Sequence, residues 1–103
     1  MIAVTRIPTH RNDGSKIRQR ELRAIVKRVF EAFGGFSLEG PFLGAWLARD
    51  DEPYEEMCYR LEVVVAAERI HEARELFMEI GVQLGQRAVY FEVRAGGEII
   101  DLE

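Results

Sequence analysis

The clearest pattern along the chain is a stripe of apolar residues at helical spacing. Six side chains fall at positions i, i+3, i+4, i+7, i+8 and i+11: Leu22, Ile25, Val26, Val29, Phe30 and Phe33. This spacing predicts a helix with one buried face, started by Ser15 as a capping residue and ended by Gly34 or Gly35 in the left-handed conformation. A second helix is predicted from about Glu68 to Leu84, with Gly85 as its stop.

Alternation of apolar and polar residues predicts strands around these helices. Residues 1–7, 54–66 and 86–94 alternate, and residues 36–49 look extended with an interruption at Gly40-Pro41, which we interpret as a bulge or bend. Gly96-Gly97 is expected to turn the chain into a short last strand, Ile99 to Leu102.

The predicted order is therefore β-α-β-β-α-β with a β tail, within a single domain that spans residues 1–103. Right-handed crossovers place both helices on one face of an antiparallel sheet. The sequence thus predicts the α+β class and a ferredoxin-like plait.

The segment from Phe30 to Trp46 holds four of the six Phe residues and the one Trp. A strand over residues 36–48 would be roughly 43 Å long, whereas the second helix would span only about 25 Å. The distal half of the hairpin, with Phe42, Leu43, Trp46 and Leu47, is then left without helical cover. We predict that it is an interface with a second copy of the chain, in a homodimer or larger homo-oligomer. The alternative is a bend at Gly40-Pro41 that folds the hairpin back onto its own sheet.

The net charge of −4 is unevenly distributed. Residues 1–30 carry eight basic and two acidic side chains, a net of +6, and the rest of the chain has a net of −10. A basic first helix beside an acidic second helix (Glu68, Glu72, Glu75, Glu79) predicts ion pairs between the two. The alternative, nucleic-acid binding, is disfavoured because Tyr90 is the one aromatic residue expected on the open sheet face, where RNA-binding sheets stack bases.

Two loops are candidates for ion binding. Arg6, His10 and Arg11 surround the loop before the first helix and form a candidate anion site, although the loop could equally be a solvated polar segment. The acidic hairpin tip could hold a hard cation such as Ca²⁺ or Mg²⁺ through Asp50, Asp51 and Glu52, with Glu55 and Glu56 beyond Pro53. It lacks the ligand spacing of a calcium loop and is interpreted as a solvated tip that discourages edge pairing. We predict no metal site.

A third candidate is the sheet face away from the helices, here called the open face. Arg60, Glu62, Tyr90 and Arg94 are expected there, together with Glu92, as a wet surface, a subunit seam or the wall of a small-molecule cavity. His71 and Cys58 lack a partner in sequence that would make either a base or a nucleophile. The sequence therefore leaves any catalytic residue unidentified, and we expect no cofactor.

Three short segments together resemble a family of small bacterial proteins described only as a domain of unknown function. They are Arg11–Ser15, Gly35–Ser37 leading to Gly44–Trp46, and Gly85–Tyr90, which match an Asp-Gly-Ser loop, a Gly-Phe-Thr strand, a Gly-x-Trp and a late Gln-Glu-x-Val. The chain departs from that pattern at Arg87, where the family has Glu, and in its apolar residues 41–48. The resemblance implies the same β-α-β-β-α-β fold and no particular activity.

The composition of the chain limits which classes of function are expected. One cysteine, no apolar run of membrane-spanning length and no signal-like N-terminus predict a cytoplasmic protein without disulfides. Abundant Arg, Glu and Val favour a thermophilic or high-GC source. We expect a self-associating binding or regulatory module without catalysis. The alternatives are a small cofactor-independent enzyme with a cavity between the open face and a partner subunit, and a nucleic-acid-binding protein that uses the basic first helix.

Overall fold

The computed structural model describes residues 1–47 and 50–102. Its elements are β1 (Ile2–Pro8), α1 (Gln19–Phe33), β2 (Ser37–Leu47), β3 (Pro53–Val64), a 3-10 turn (Ala67–Arg69), α2 (Ile70–Gln83) and β4 (Glu92–Arg94). The predicted succession of two helices and four strands is confirmed. Ala48 and Arg49, which belong to the predicted second strand, lie outside the described residues.

The four strands form one open sheet in the order β2-β3-β1-β4, and every neighbouring pair is antiparallel. In β1, Val4 lies opposite Glu62 of β3 on one side and Glu92 of β4 on the other. Opposed residues in an antiparallel ladder point to the same face. The molecule is therefore an α+β protein whose sheet and helices are compatible with a ferredoxin-like fold.

Both helices pack on one face of this sheet. The buried core combines Ala3, Ile7, Leu61 and Val63 from the sheet with Ile25 and Val29 of α1 and Phe77 and Ile80 of α2. Phe30, part of the predicted stripe, is instead exposed at the edge of α1. From β2, among the described residues, only Leu38 packs against this core.

The helix ends differ partly from expectation. Gly34 caps α1 with a φ of 82°, and its N–H donates to the Phe30 carbonyl at 2.7 Å, as predicted. The predicted cap at Ser15 is wrong: the helix begins after Arg18, whose backbone N–H donates to the Glu21 carboxylate, while the Ser15 hydroxyl donates to Asp13. Neither described helix is long and apolar enough to cross a bilayer.

The interruption at Gly40-Pro41 is a bulge. Glu39 pairs with Arg60 and Phe42 pairs with Cys58, so β2 uses one more residue than β3 between these two positions. The Gly40-Pro41 peptide is cis. Pairing resumes beyond the bulge and continues to Leu47 opposite Pro53.

At the C-terminal end, one predicted strand is shorter than expected and another is wrong. The strand expected over Gln86–Arg94 is limited to Glu92–Arg94, because Val89 turns toward α2 and the Tyr90 carbonyl accepts a hydrogen bond from the buried Thr5 hydroxyl (2.7 Å) instead of extending the ladder. The tail strand over Ile99–Leu102 does not form. Those residues are exposed after a turn in which Gly96 and Gly97 both have positive φ.

Candidate ligand pocket on the open face

The bulge determines which side chains of the hairpin reach the open face. Beyond it, Phe42, Gly44 and Trp46 lie opposite Cys58, Glu56 and Tyr54 in the ladder. Phe42, Cys58 and Arg6 lie together on the open face, where the guanidinium of Arg6 contacts the Phe42 ring. Leu43 and Leu47 point to the other side. The distal hairpin thus presents aromatic residues on the open face and leucines on the face that helices cover elsewhere.

Arg6 lies at the centre of the aromatic side. Its Cζ is 4.4 Å from the centre of the Tyr90 ring and 5.4 Å from that of Phe42. These contacts hold a cation against two aromatic rings. The Nε of Arg6 is buried and has no hydrogen-bond partner among the described residues.

A carboxyl group and a thiol lie near this guanidinium. Burial raises the pKa of Glu56, and the positive charge of Arg6 partly opposes that rise. Burial likewise raises the pKa of Cys58, so its sulfur is held as a neutral thiol rather than a thiolate. A neutral thiol is a poor nucleophile, so the setting does not activate Cys58.

These groups line a cavity of about 230 Å³, here called the open-face pocket. Its walls are Arg6, Gly44, Trp46, Glu56, Cys58 and Tyr90, closed on one side by residues 86–89. A second cavity of about 510 Å³ adjoins it, with Asn12, Trp46 and Glu56 lining both. Trp46 is therefore part of the wall of two neighbouring cavities.

The outer wall is built by contacts between the hairpin and two loops. Trp46 stacks on Tyr54 with ring centres 5.1 Å apart and planes 19° from parallel, and Arg87 donates to the Tyr54 hydroxyl. The Asn12 side chain donates to the Gly85 carbonyl at 3.0 Å. The loop before α1 and the loop after α2 are thereby joined beside the pocket.

The predicted open-face residues form a polar network next to the pocket. Arg94 donates to Glu92 at 2.8 Å and to Glu62 at 3.3 Å, and the Tyr90 hydroxyl donates to Glu92 at 2.8 Å. The hydrogen bond from Arg94, and then that from Tyr90, lowers the pKa of Glu92. Arg60 makes no hydrogen bond within this network, although its charge also lowers the pKa of Glu92, and its Cζ lies 5.7 Å from the centre of the Phe42 ring.

The three residues of the predicted anion site have separate partners. Arg11 forms an ion pair with Glu21, whose carboxylate has a lowered pKa chiefly because of that hydrogen bond. The His10 ring is hydrogen-bonded to the Thr9 hydroxyl at 2.8 Å. Arg6 is the one whose guanidinium has no hydrogen-bond acceptor among the described residues, and it lies in the open-face pocket rather than beside the loop.

The basic first helix has one cross-helix ion pair in the described structure, from Arg28 to Glu79 at 2.9 Å, supported by Gln83 at 3.2 Å. Lys27 pairs within α1, with Glu31. Arg18, Arg20 and Arg23 are exposed. The predicted pairing between helices thus accounts for little of the charge asymmetry, and the polar face of α1 remains a basic surface.

The described residues contain no cluster of three or more His, Cys, Asp or Glu side chains arranged to hold a metal ion. At the hairpin tip, the Asp50 side chain accepts a hydrogen bond from the backbone N–H of Glu52 at 3.1 Å. That bond closes a local turn and does not gather the carboxylates around a common point.

Sequence reasoning considered Glu56 only as part of the acidic hairpin tip, and it placed Cys58 on the open face without assigning it to a pocket. The alternation of β3 alone places Cys58 on the open face, because Leu61 and Val63, which are an odd number of residues away, face the core. Adding one residue for a bulge at Gly40-Pro41 would then have placed Gly44 and Trp46 on that face beside Glu56 and Cys58. The contribution of residues 86–90 has no such signal, because they follow no regular element.

No protein-family model matches this chain, and no curated protein matches it in sequence. The resemblance to the small bacterial family therefore stays a prediction. The class that the structure defines is that of an α+β domain with an open four-stranded antiparallel sheet and two helices.

Proposed function

We propose that this protein is a self-associating binding or regulatory module with a ferredoxin-like plait and no catalytic step of its own. The strand order supports the plait, because β3 lies between β1 and β2, and β1 lies between β3 and β4. Each β-α-β unit is thus split by a strand of the other, the arrangement of this fold. The proposal of self-association rests on the exposed apolar side of the distal hairpin.

The distal hairpin, residues 42–47 of β2 with 53–57 of β3, is here called the hairpin arm. On its side opposite the pocket, Leu43 and Leu47 are 63% and 68% exposed, and Met57 opposite Leu43 is exposed as well. In the same sheet face nearer the helices, Leu61 and Val63 are buried. The arm therefore continues the apolar face of the sheet beyond the helices that cover it.

A second copy of the chain fits this surface for two reasons. β2 is an edge strand, so its outer backbone groups can pair with the same strand of another copy about a two-fold axis. The arm ends in the acidic segment Asp50–Glu52, and α1 exposes Arg18, Arg20 and Arg23. The opposite signs of these two exposed surfaces would favour association between copies over self-repulsion.

Sedimentation equilibrium on the double variant Leu43→Glu, Leu47→Glu tests the proposal. We expect the unmodified chain to form dimers or larger assemblies and the variant to be monomeric, because buried glutamates without partners oppose association. Val82→Glu is the matched control: Val82 is 79% exposed on α2, and this variant should still associate. A monomeric unmodified chain, or dissociation by the control alone, would contradict an interface at the arm.

A small enzyme is the second candidate, favoured by one observation. Burial raises the pKa of Glu56, which lies in a pocket with the Arg6 guanidinium and the Tyr90 ring, and such a carboxyl group can act as a general acid or base. The two functions differ in what happens to a pocket ligand. A module returns the ligand chemically unchanged after long incubation, whereas an enzyme converts it at a rate that Glu56→Gln lowers.

A further inference from the structure

The guanidinium of Arg6 is held in position without a hydrogen-bond acceptor among the described residues. The rings of Tyr90 and Phe42 restrain it, yet ring faces do not accept in-plane N–H groups. Arg6 makes no side-chain hydrogen bond or ion pair with any described residue. A buried donor without an acceptor costs about 1–3 kcal/mol. This arrangement leaves a place for an acceptor that comes from outside the chain.

The shape of a guanidinium specifies the kind of acceptor. Its parallel N–H groups match the two oxygens of a carboxylate or of a phosphate. Glu56 lines the same pocket, and a carboxyl group close by disfavours a ligand with more than one negative charge. Burial also raises the pKa of Glu56, so its protonated form, which can donate to a bound carboxylate, persists to higher pH than that of an exposed glutamate.

The rest of the pocket specifies the body of the ligand. Trp46, Ala88 and Val89 contribute apolar walls, and Cys58 of β3 contributes a further weakly polar wall. Trp46 is held in place by stacking on Tyr54, so a flat wall is available before any ligand binds. The cavity of about 230 Å³ lies below the 300–1,000 Å³ typical of sites for drug-sized ligands.

We propose that the open-face pocket binds a small monocarboxylic acid with a planar apolar body, its carboxylate on Arg6 and its body against Trp46. The pocket is formed within one copy of the chain, so this inference is independent of self-association. Binding of this kind gives the proposed module a ligand, and it requires no reaction.

The test is a titration of the unmodified 103-residue chain with phenylacetate, followed by the fluorescence of Trp46, its only tryptophan. Phenylacetamide, of the same shape but uncharged, should bind at least about tenfold more weakly, the loss expected for removal of charge-assisted hydrogen bonds. Inorganic phosphate should compete poorly. Equal binding of the amide, effective competition by phosphate, or no saturable binding of phenylacetate would overturn the proposal.

Two variants locate the site. Arg6→Gln should weaken phenylacetate binding about tenfold or more, and Arg6→Lys should weaken it less, because a lysine keeps the charge but loses the paired N–H groups. Arg94→Gln is the control: Arg94 lies on the same face but already pairs with Glu62 and Glu92, so affinity should change less than about twofold. An equal loss in the Arg94 variant would contradict a site at Arg6.

A measurement on the unmodified chain keeps the inference testable if the Arg6 variants fold poorly. A ligand that binds only the folded chain stabilises it against unfolding. Saturating phenylacetate should raise the midpoint of thermal unfolding of the unmodified chain, whereas phenylacetamide at the same concentration should raise it much less. Equal stabilisation by both compounds would argue against recognition of the carboxylate.

Discussion

The guanidinium of Arg6 lies 4.4 Å from the centre of the Tyr90 ring. This contact connects the central strand β1 to a residue that belongs to no strand. Continuing the ladder from Val4 and Glu92 would put Tyr90 opposite Arg6. The ladder ends before that pair because the Tyr90 carbonyl accepts a hydrogen bond from the Thr5 hydroxyl instead of from the backbone of β1. The Tyr90 ring nevertheless lies beside the Arg6 guanidinium, so a cation–π contact connects β1 to residue 90 where backbone pairing is absent.

Replacing Tyr90 should separate the role of its ring from that of its hydroxyl. Tyr90→Ala removes a ring from Arg6 and should lower the free energy of unfolding by about 1–2 kcal/mol. Tyr90→Phe keeps the ring and loses only the exposed hydrogen bond to Glu92, so it should cost less than about 1 kcal/mol. Urea denaturation followed by circular dichroism measures both. Equal losses in the two variants would show that the ring contact contributes little.

The pKa of Glu56 predicts a pH dependence of stability. Burial raises its pKa in the folded chain above the ordinary glutamate value of 4.5, so the folded state binds this proton more tightly than the unfolded state does. The contribution of Glu56 is therefore most favourable below that ordinary value and declines as pH rises through the raised pKa. Glu56→Gln should be the more stable protein at neutral pH, with the advantage vanishing in acid.

Denaturant titrations of both proteins across that pH range measure the effect. Glu55→Gln is a suitable control, because Glu55 is exposed and its position in β3 points away from the pocket. A Glu56→Gln advantage that persists unchanged at acid pH would mean that the pKa is not responsible.

Gly81 predicts a packing effect within α2. A Cβ at this position would collide with Cγ2 of Val89, so the absence of a side chain is what lets the segment after α2 lie against the helix. Gly81→Ala should destabilise the fold by about 1–3 kcal/mol despite the better helix propensity of alanine. Thermal unfolding measures the loss.

Two further variants check this explanation. Gly35→Ala meets no atom within 4 Å and has an ordinary φ, so its effect should stay within about 0.5 kcal/mol. The double variant Gly81→Ala, Val89→Ala should lose less stability than the sum of its single variants, because the smaller side chain removes the collision. Strict additivity would contradict a direct contact between the two residues.

The regular part of the fold was predictable because its signals are periodic. The stripe from Leu22 to Val29 and the alternation of Leu61 and Val63 describe buried faces directly, and both faces are buried in the structure. Phe30 shows the limit of the same signal: its position fits the stripe, yet no element of the described chain covers that edge of α1.

The pocket was less predictable because its parts follow different rules. The placing of Trp46 depends on counting a bulge, and that of Tyr90 depends on one side-chain hydrogen bond from Thr5. The alternation of Val89, Phe91 and Val93 resembles a strand, but packing against α2 takes precedence over it for Val89. Such tertiary contacts have no local pattern in the sequence.

The extra residue near Gly40-Pro41 has a consequence for how this chain tolerates change in length. If β2 kept its length but paired without the bulge, Leu43 rather than Gly44 would lie opposite Glu56, and each later side chain would exchange faces. Trp46 would then leave the cavity, and leucines would take the place of the aromatic residues. Deleting one residue of the bend itself removes the bulge and leaves Phe42 opposite Cys58, so it should be accepted more readily than a deletion between the bend and Trp46, which would turn Trp46 to the other face.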